Sequence, residues 1–221
     1  MILELRDFLT PAEVARLVEL SRQLKFVEGR LSNPANQSKN NLQADLGDPK
    51  YGESVEIVGA AFARSREFQD YAFPTRIAPP LLSRYEPGMK YGAHADSARI
   101  TLASGVLRSD ISCTVFLVDP MSYAGGELVI HAGTRPIVMK GAPGECICYP
   151  STFLHEVRPV TSGVRLVSIT FIESRIKDEH RRTQLYELNE VAALEGMKMS
   201  WESWVRLEVV RQNLLRMWSD S

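Results

Sequence analysis

The sequence predicts a mainly β protein with flanking helices (α+β), built as a sandwich or jelly roll. Between Phe68 and Phe171, short segments rich in β-branched and aromatic residues alternate with Gly and Pro turns. The pattern is not a βαβ alternation, which argues against a parallel doubly wound sheet. The predicted strands cover residues 71–73, 81–86, 111–118, 127–130, 136–139, 145–149, 155–160 and 164–172.

The chain of 221 residues suits one domain with appendages. We expect an N-terminal strand and helical region over residues 1–67, a core over 68–175 and a C-terminal helical extension over 176–221. The chain has 26 basic and 27 acidic residues, so its charge is balanced and it lacks the electrostatic signature of a nucleic-acid-binding protein. The sequence also shows no signal-peptide pattern and no apolar run of membrane-spanning length, so no membrane partner is expected.

Three cysteines, an odd number, occur in apolar segments that resemble strands: Cys113, Cys146 and Cys148. This pattern predicts reduced, buried thiols and a cytoplasmic protein.

The N-terminal region begins with a short strand within residues 2–9 and continues into a helix. Thr10 is placed to cap this helix, Pro11 suits its first position, and Glu13 completes a capping box. A second helix is predicted over 53–66. The polar segment 29–50 between them is long for a compact domain, so it is either a lid over a site or a solvated connector.

The C-terminal extension carries two helical patterns, one over residues 177–190 and one over about 200–218. Trp201, Trp204 and Trp218 in the second helix suggest a core or a cover for the sheet. The alternative is a contact between two copies, which makes this helix the candidate surface for a homo-oligomer.

The residues that indicate chemistry are His94 and Asp96, followed by His155 and Arg165. If the first pair lies on a strand, side chains two residues apart leave the same face and point at one spot. A His-x-Asp pair, a distant His and then a basic residue is the order of parts in a two-His-one-carboxylate iron site with a 2-oxo acid cosubstrate.

Such a site needs only three protein ligands, because Fe(II) keeps open positions for the 2-oxo acid and dioxygen. The guanidinium of Arg165 suits the far carboxylate of the oxo acid, since it is always charged and forks onto both oxygens. Tyr85 is a second candidate for that carboxylate. The remaining histidines, His131 and His180, have no such context and are expected to be structural or solvated.

Two other classes of protein remain open. A cupin-like binding module would favour His-x-His and a downstream Glu, and it would not need Arg165. A zinc hydrolase could use the same three ligands, but it would leave both Arg165 and Tyr85 without a role.

Several separated motifs together resemble the PKHD-type hydroxylases, a branch of the prolyl-4-hydroxylase-like Fe(II)/2-oxoglutarate dioxygenases. The resemblance covers about residues 80–190 and rests on the segments 85–91, 94–96, 107–117, 123–128, 149–155, 159–165 and 176–188.

The resemblance implies a double-stranded β-helix core, with iron at His94, Asp96 and His155 and 2-oxoglutarate at Arg165. These residues would support hydroxylation of a peptidyl-proline-like side chain or a small molecule, with decarboxylation of 2-oxoglutarate to succinate and CO2. The required partners are Fe(II), 2-oxoglutarate and O2, and L-ascorbate is a candidate at the level of the family. The carboxylate of Asp96 argues for hydroxylation over halogenation, and substrate choice is expected to depend on the 29–50 loop and on other loops.

Overall fold

The structure, a computed structural model, describes residues 1–32 and 36–219. Within them the chain is mostly antiparallel sheet, with helices before and after it. The α-helices are α1 (Pro11–Gln23), α2 (Tyr51–Arg64), α3 (Arg66–Ala72), α4 (Glu179–Glu195) and α5 (Trp201–Trp218). The strands are β1 (Leu3–Leu5), β2 (Phe26–Glu28), β3 (Lys39–Asn40), β4 (Leu42–Ala44), β5 (Pro74–Ile77), β6 (Leu81–Tyr85), β7 (Lys90–His94), β8 (Arg99–Leu102), β9 (Gly105–Arg108), β10 (Ile111–Phe116), β11 (Ala124–Gly125), β12 (Leu128–His131), β13 (Ile137–Met139), β14 (Cys146–Pro150), β15 (Leu154–Val157), β16 (Val160–Ser162) and β17 (Arg165–Ser174).

Two antiparallel sheets form the body of the molecule. The larger sheet has the order β1-β14-β10-β17-β6-β4-β2, with β5 also paired to β17, and the smaller has the order β13-β12-β15-β7-β3. One apolar cluster combines side chains of both sheets, such as Tyr149 and Val167 with Ile130 and Val157. This two-sheet arrangement with flanking helices confirms the predicted jelly-roll class.

The first three helices pack with the larger sheet in a second apolar cluster, which includes Leu17, Phe62 and Phe68. The capping box of α1 is present, because the Thr10 hydroxyl accepts from the Glu13 amide and the Glu13 carboxylate accepts from the Thr10 amide. The predicted first helix is therefore confirmed.

The predicted strand over 71–73 is wrong, because residues 66–72 form helix α3. Ser65 caps that helix by accepting from the amide of Phe68. Phe68, Tyr71 and Ala72 are buried at helical spacing, so the aromatic residues that suggested a strand form one face of a helix.

The polar segment 29–50 also contains more regular structure than the sequence predicts. Gly29–Ser32 is a 3-10 helix, and strands β3 and β4 follow it. Strand β3 pairs with β7, and β4 pairs with β6, so this segment contributes a strand to each sheet. Residues 33–35 of the predicted loop lie outside the described residues.

The C-terminal helices α4 and α5 confirm both helical patterns, and Arg211 of α5 donates to Asn189 of α4. Trp201 does not belong to a core, since 77% of its surface is exposed, whereas Trp204 and Trp218 are half-buried. The three cysteines are free and buried, as predicted. No helix among residues 1–32 and 36–219 is long and apolar enough to cross a membrane.

Candidate active site

The pairing of β7 with β15 places two histidines opposite each other. His94 is the last residue of β7, and His155 is its direct partner on the antiparallel strand β15. Their ring centroids are 4.3 Å apart. Two histidines about sixty residues apart in the sequence are therefore in direct contact across the β7–β15 pair of the smaller sheet.

Asp96 completes a cluster of three potential metal ligands. Its Oδ1 lies 3.8 Å from His94 Nε2, and its Oδ2 lies 3.5 Å from His155 Nε2. One ligand atom from each of the three side chains lies within 4.8 Å of the others, and the three side chains are largely buried. Two imidazoles and one carboxylate form the donor set that non-haem Fe(II) accepts, with coordination positions left open.

Backbone carbonyls fix the orientation of both imidazoles. His94 Nδ1 lies 2.8 Å from the Gly92 carbonyl oxygen, and His155 Nδ1 lies 2.9 Å from that of Phe153. Since a carbonyl only accepts, each Nδ1 carries the proton and each Nε2 presents a lone pair to the cluster. Burial and the neighbouring His155 lower the pKa of His94, which favours the neutral imidazole that a metal needs.

The predicted cosubstrate residues, Arg165 and Tyr85, lie opposite each other where β17 pairs with β6. The guanidinium carbon of Arg165 is 5.0 Å from the centroid of the Tyr85 ring. Arg165 is only 1% exposed, and its Nε has no hydrogen-bond partner within the described part of the chain. A buried, unsatisfied cationic donor is costly, so its position next to the cluster indicates a site for an anion.

The turn between β11 and β12 makes room for Arg165. Gly126 has φ +69°, and a Cβ there would lie 3.1 Å from the Cδ of Arg165 and equally close to the ring of Tyr123. Tyr123 is buried, and its ring and the stem of Arg165 border the same glycine. A glycine is therefore required both for the backbone conformation and for the close approach of the arginine.

The same cavity is lined by residues that the sequence reasoning missed, including Tyr91, Ser112, Thr114 and Tyr149. Tyr91 stacks on His94 with a centroid distance of 3.6 Å, and Tyr149 meets His155 edge-on at 5.1 Å. One signal was available, because Ser112 and Thr114 are polar residues two apart in an otherwise apolar, fully buried strand. Such a pattern marks a polar surface inside a core.

Segment 36–41 lies beside β7, the strand that ends at His94. Lys39 pairs with Tyr91 in the β3–β7 ladder, and Asn36 Nδ2 approaches the Tyr91 hydroxyl at 3.5 Å. His131 and His180 lie outside the cluster, since His131 is a half-buried residue of β12 and His180 is exposed and contacts Gln184.

The fold and the site together define an Fe(II)- and 2-oxoglutarate-dependent dioxygenase. Residues 80–173 match the model of the 2OG-Fe(II) oxygenase superfamily. The cofactor is Fe(II), and the cosubstrates are 2-oxoglutarate and O2. This result excludes the cupin-like binding module and the zinc hydrolase.

The chain belongs to the PKHD-type hydroxylases. It is 50% identical over 206 residues to a PKHD-type hydroxylase of Sphingopyxis alaskensis, covering 93% of this chain and 94% of that protein. It is 37% identical to the PKHD-type hydroxylase YbiX of Escherichia coli, with both chains covered completely.

Solved structures share the fold at low identity. A prolyl hydroxylase of Trichoplax adhaerens, in complex with a peptide fragment of hypoxia inducible factor, matches with a TM-score of 0.63 at 13% identity, covering 80% of this chain and 84% of that one. A Pseudomonas putida prolyl-4-hydroxylase matches with a TM-score of 0.55 at 17% identity, covering 79% and 92%.

Proposed function

We propose that His94, Asp96 and His155 hold the Fe(II) and that Arg165 and Tyr85 bind 2-oxoglutarate. The observation that carries this assignment is the convergence of two inward-facing Nε2 atoms and one carboxylate beside a buried arginine. The donor set fits Fe(II), and the unpartnered Arg165 Nε fits the far carboxylate of the oxo acid.

Each side chain has a separate task. The imidazoles of His94 and His155 and the carboxylate of Asp96 would hold the metal, and a set of three protein ligands would leave coordination positions for the cosubstrates. Arg165 neutralises the carboxylate of the cosubstrate and orients it, and the buried phenol of Tyr85 closes the same end of the pocket. Fe(II) held there would supply the chemistry by which 2-oxoglutarate and O2 give succinate and CO2, with one oxygen atom of O2 entering succinate and the other a substrate C–H bond.

The substrate that we propose is either a small molecule or a peptidyl side chain of the proline type. The fold neighbours support both substrate classes. The Trichoplax adhaerens prolyl hydroxylase binds a peptide of hypoxia inducible factor. Another neighbour, with a TM-score of 0.57 at 15% identity and 79% of each chain covered, is SnoN, an α-ketoglutarate-dependent epimerase from nogalamycin biosynthesis. Segment 36–41 lies along β7, where it would border a substrate approaching the metal. This position supports the interpretation of segment 29–50 as a lid over the site rather than as a solvated connector. For an auxiliary reductant we propose L-ascorbate.

We also propose a homo-oligomer formed through α5. None of the residues of α5 is buried, and Trp201, Val205 and Val209 are exposed at a spacing of four, which gives a continuous outward stripe. If two copies of α5 pair in antiparallel fashion about Val209, Glu202 of one copy faces Arg216 of the other. This opposite charge supports a second copy as the partner.

The division into residues 1–67, 68–175 and 176–221 remains a proposal. The pairing of β1 with β14 and of β4 with β6 supports an N-terminal region that packs on the core. The balanced charge supports the absence of a nucleic-acid partner, and the three reduced thiols support a cytoplasmic location.

The assignment is tested by adding Fe(II) and then 2-oxoglutarate to the purified protein without oxygen. A visible charge-transfer band that depends on both additions is expected, and Asp96→Ala should not form it. If Asp96→Ala gave the wild-type band and full turnover, Asp96 would not be a ligand.

A further inference from the structure

Three buried serines connect Asp96 to the interior of the larger sheet. Ser112 Oγ lies 2.6 Å from Asp96 Oδ2, Ser151 Oγ lies 2.7 Å from Ser112 Oγ, and Ser109 Oγ lies 2.8 Å from Ser151 Oγ. The three serines are 3–7% exposed. They come from two segments, since Ser109 and Ser112 lie before and within β10, and Ser151 follows β14.

Each serine hydroxyl has one proton and can donate only one hydrogen bond, which fixes the donor-to-acceptor direction along the three serines. An ionised carboxylate only accepts, so the single hydroxyl proton of Ser112 goes to Asp96. Ser151 must then donate to Ser112, and Ser109 must donate to Ser151. All three hydroxyl dipoles therefore point toward the carboxylate, and hydrogen bonds arranged head to tail strengthen one another.

The serine hydrogen-bond chain also links the segment that carries Asp96 with the segment that carries His155. The Ser109 amide donates to the Ala98 carbonyl, two residues after Asp96. The Ser151 amide donates to the Asp110 carbonyl, and Ser151 opens the turn that leads to Phe153, whose carbonyl orients His155. A shift of the serines would thus move both Asp96 and the carbonyl that fixes the imidazole.

We propose that Ser109, Ser151 and Ser112 are positioning residues, which form a one-way hydrogen-bond chain that fixes Asp96 as a metal ligand. This inference rests on the proposed function, because that function makes Asp96 a ligand. The Ser112 hydroxyl occupies one lone-pair direction of Oδ2 and stabilises the negative charge. The carboxylate is then oriented before the metal arrives, which reduces the free-energy cost of binding.

The test is the affinity for Fe(II), measured without oxygen by competition with a chromogenic chelator. Ser112→Ala is expected to weaken binding by about 10- to 100-fold, the usual effect of removing a hydrogen bond to a metal ligand. Ser112→Thr keeps the hydroxyl and should restore most of the affinity. Ser109→Ala does not touch Asp96, yet it should weaken binding about twofold, because it removes the first dipole of the chain.

The control is Ser54→Ala, since Ser54 is an equally buried serine in α2 whose hydroxyl donates to the Tyr51 carbonyl. It should leave the affinity for Fe(II) unchanged. Thermal unfolding of the metal-free variants separates positioning from folding, because a positioning role predicts that the loss of affinity persists when Fe(II) binding is measured well below each variant's unfolding midpoint. If Ser112→Ala proves unstable, Ser112→Val, which has the shape of the Ser112→Thr side chain without its hydroxyl, should show the same loss of affinity.

The outcomes distinguish this inference from the function on which it rests. Wild-type affinity in Ser112→Ala or Ser112→Val would overturn the positioning role. An unchanged affinity for Fe(II) in Ser109→Ala would show that the three-serine hydrogen-bond chain does not act as a unit. Only the hydrogen bond from Ser112 to Asp96 would then contribute. If the wild-type protein itself bound no Fe(II), the proposed function would fail first.

Discussion

His94 and His155 are direct partners on antiparallel strands, and each donates its Nδ1 proton to a carbonyl two residues earlier in its own chain segment. This matched arrangement turns both Nε2 atoms toward Asp96. Strand register, rather than side-chain flexibility, therefore sets the geometry of the cluster.

Replacing His155 with alanine should remove one of the three ligands and abolish both the charge-transfer band and turnover. Loss of an outer-shell partner of a metal ligand costs 10- to 100-fold, so loss of the ligand itself is expected to exceed about 100-fold. His131→Ala is a matched control, because His131 lies on the neighbouring strand β12 opposite Leu154. Equal loss in both variants would point to a general effect of removing a histidine from this sheet.

Replacing Arg165 with lysine should raise the 2-oxoglutarate requirement, because the charge remains but the forked hydrogen bond is lost. A charge-assisted hydrogen bond contributes about 1.5–3 kcal/mol, so the KM for 2-oxoglutarate should rise by about 10- to 100-fold. The comparison uses 2-oxobutyrate, which lacks the far carboxylate. The difference between wild type and variant should nearly vanish with that oxo acid, and a persistent difference would contradict the assigned role.

Gly126→Ala should weaken 2-oxoglutarate binding without a change in any polar group. The new Cβ would press on the Cδ of Arg165 at 3.1 Å, and the positive φ adds about 1–2 kcal/mol of backbone strain. Gly133→Ala also places a Cβ at a positive φ, of +103°, but with nothing within 4 Å of the new Cβ. Both variants should unfold at lower denaturant concentration, whereas only Gly126→Ala should lose cosubstrate affinity in a titration.

The oligomer through α5 can be tested by exchanging charges. Arg216→Glu should shift sedimentation toward the monomer, because Glu202 of the second copy would then face a like charge. Adding Glu202→Arg to the same chain restores the opposite pair and should restore the oligomer. If the wild-type protein sedimented as a monomer at every concentration, the proposed oligomer would be wrong. If Arg216→Glu sedimented like the wild-type oligomer, this antiparallel register of α5 would be excluded.

The Glu13 capping box predicts a pH dependence of stability. The hydrogen bond from Arg64 lowers the pKa of Glu13 below its usual 4.5. Ionised Glu13 therefore contributes stability above about pH 4.5, and that contribution is lost as the pH falls through the lower pKa of the folded state. Glu13→Gln should unfold at a lower temperature than wild type above pH 4.5, with a difference that narrows in acid. Glu56→Gln, at an exposed position of α2, should show no such trend.

The sequence by itself determined the class of fold and the capping box of α1, and it singled out His94, Asp96, His155 and Arg165 as the candidate site residues. These features are local or carried by motif spacing, such as a side-chain period of two or a capping residue three positions before its partner. A single sequence contains them in full.

Only the tertiary structure decided which segments lie side by side. The pairing of β3 with β7, the contact of Gly126 with Arg165 and the serine chain to Asp96 join residues that are far apart in the chain. The predicted strand over residues 71–73 is wrong for a related reason, because these residues end helix α3, whose buried face is defined by the core against which it packs. The physical reason is that strand register and packing depend on long-range complementarity, which local propensity does not encode.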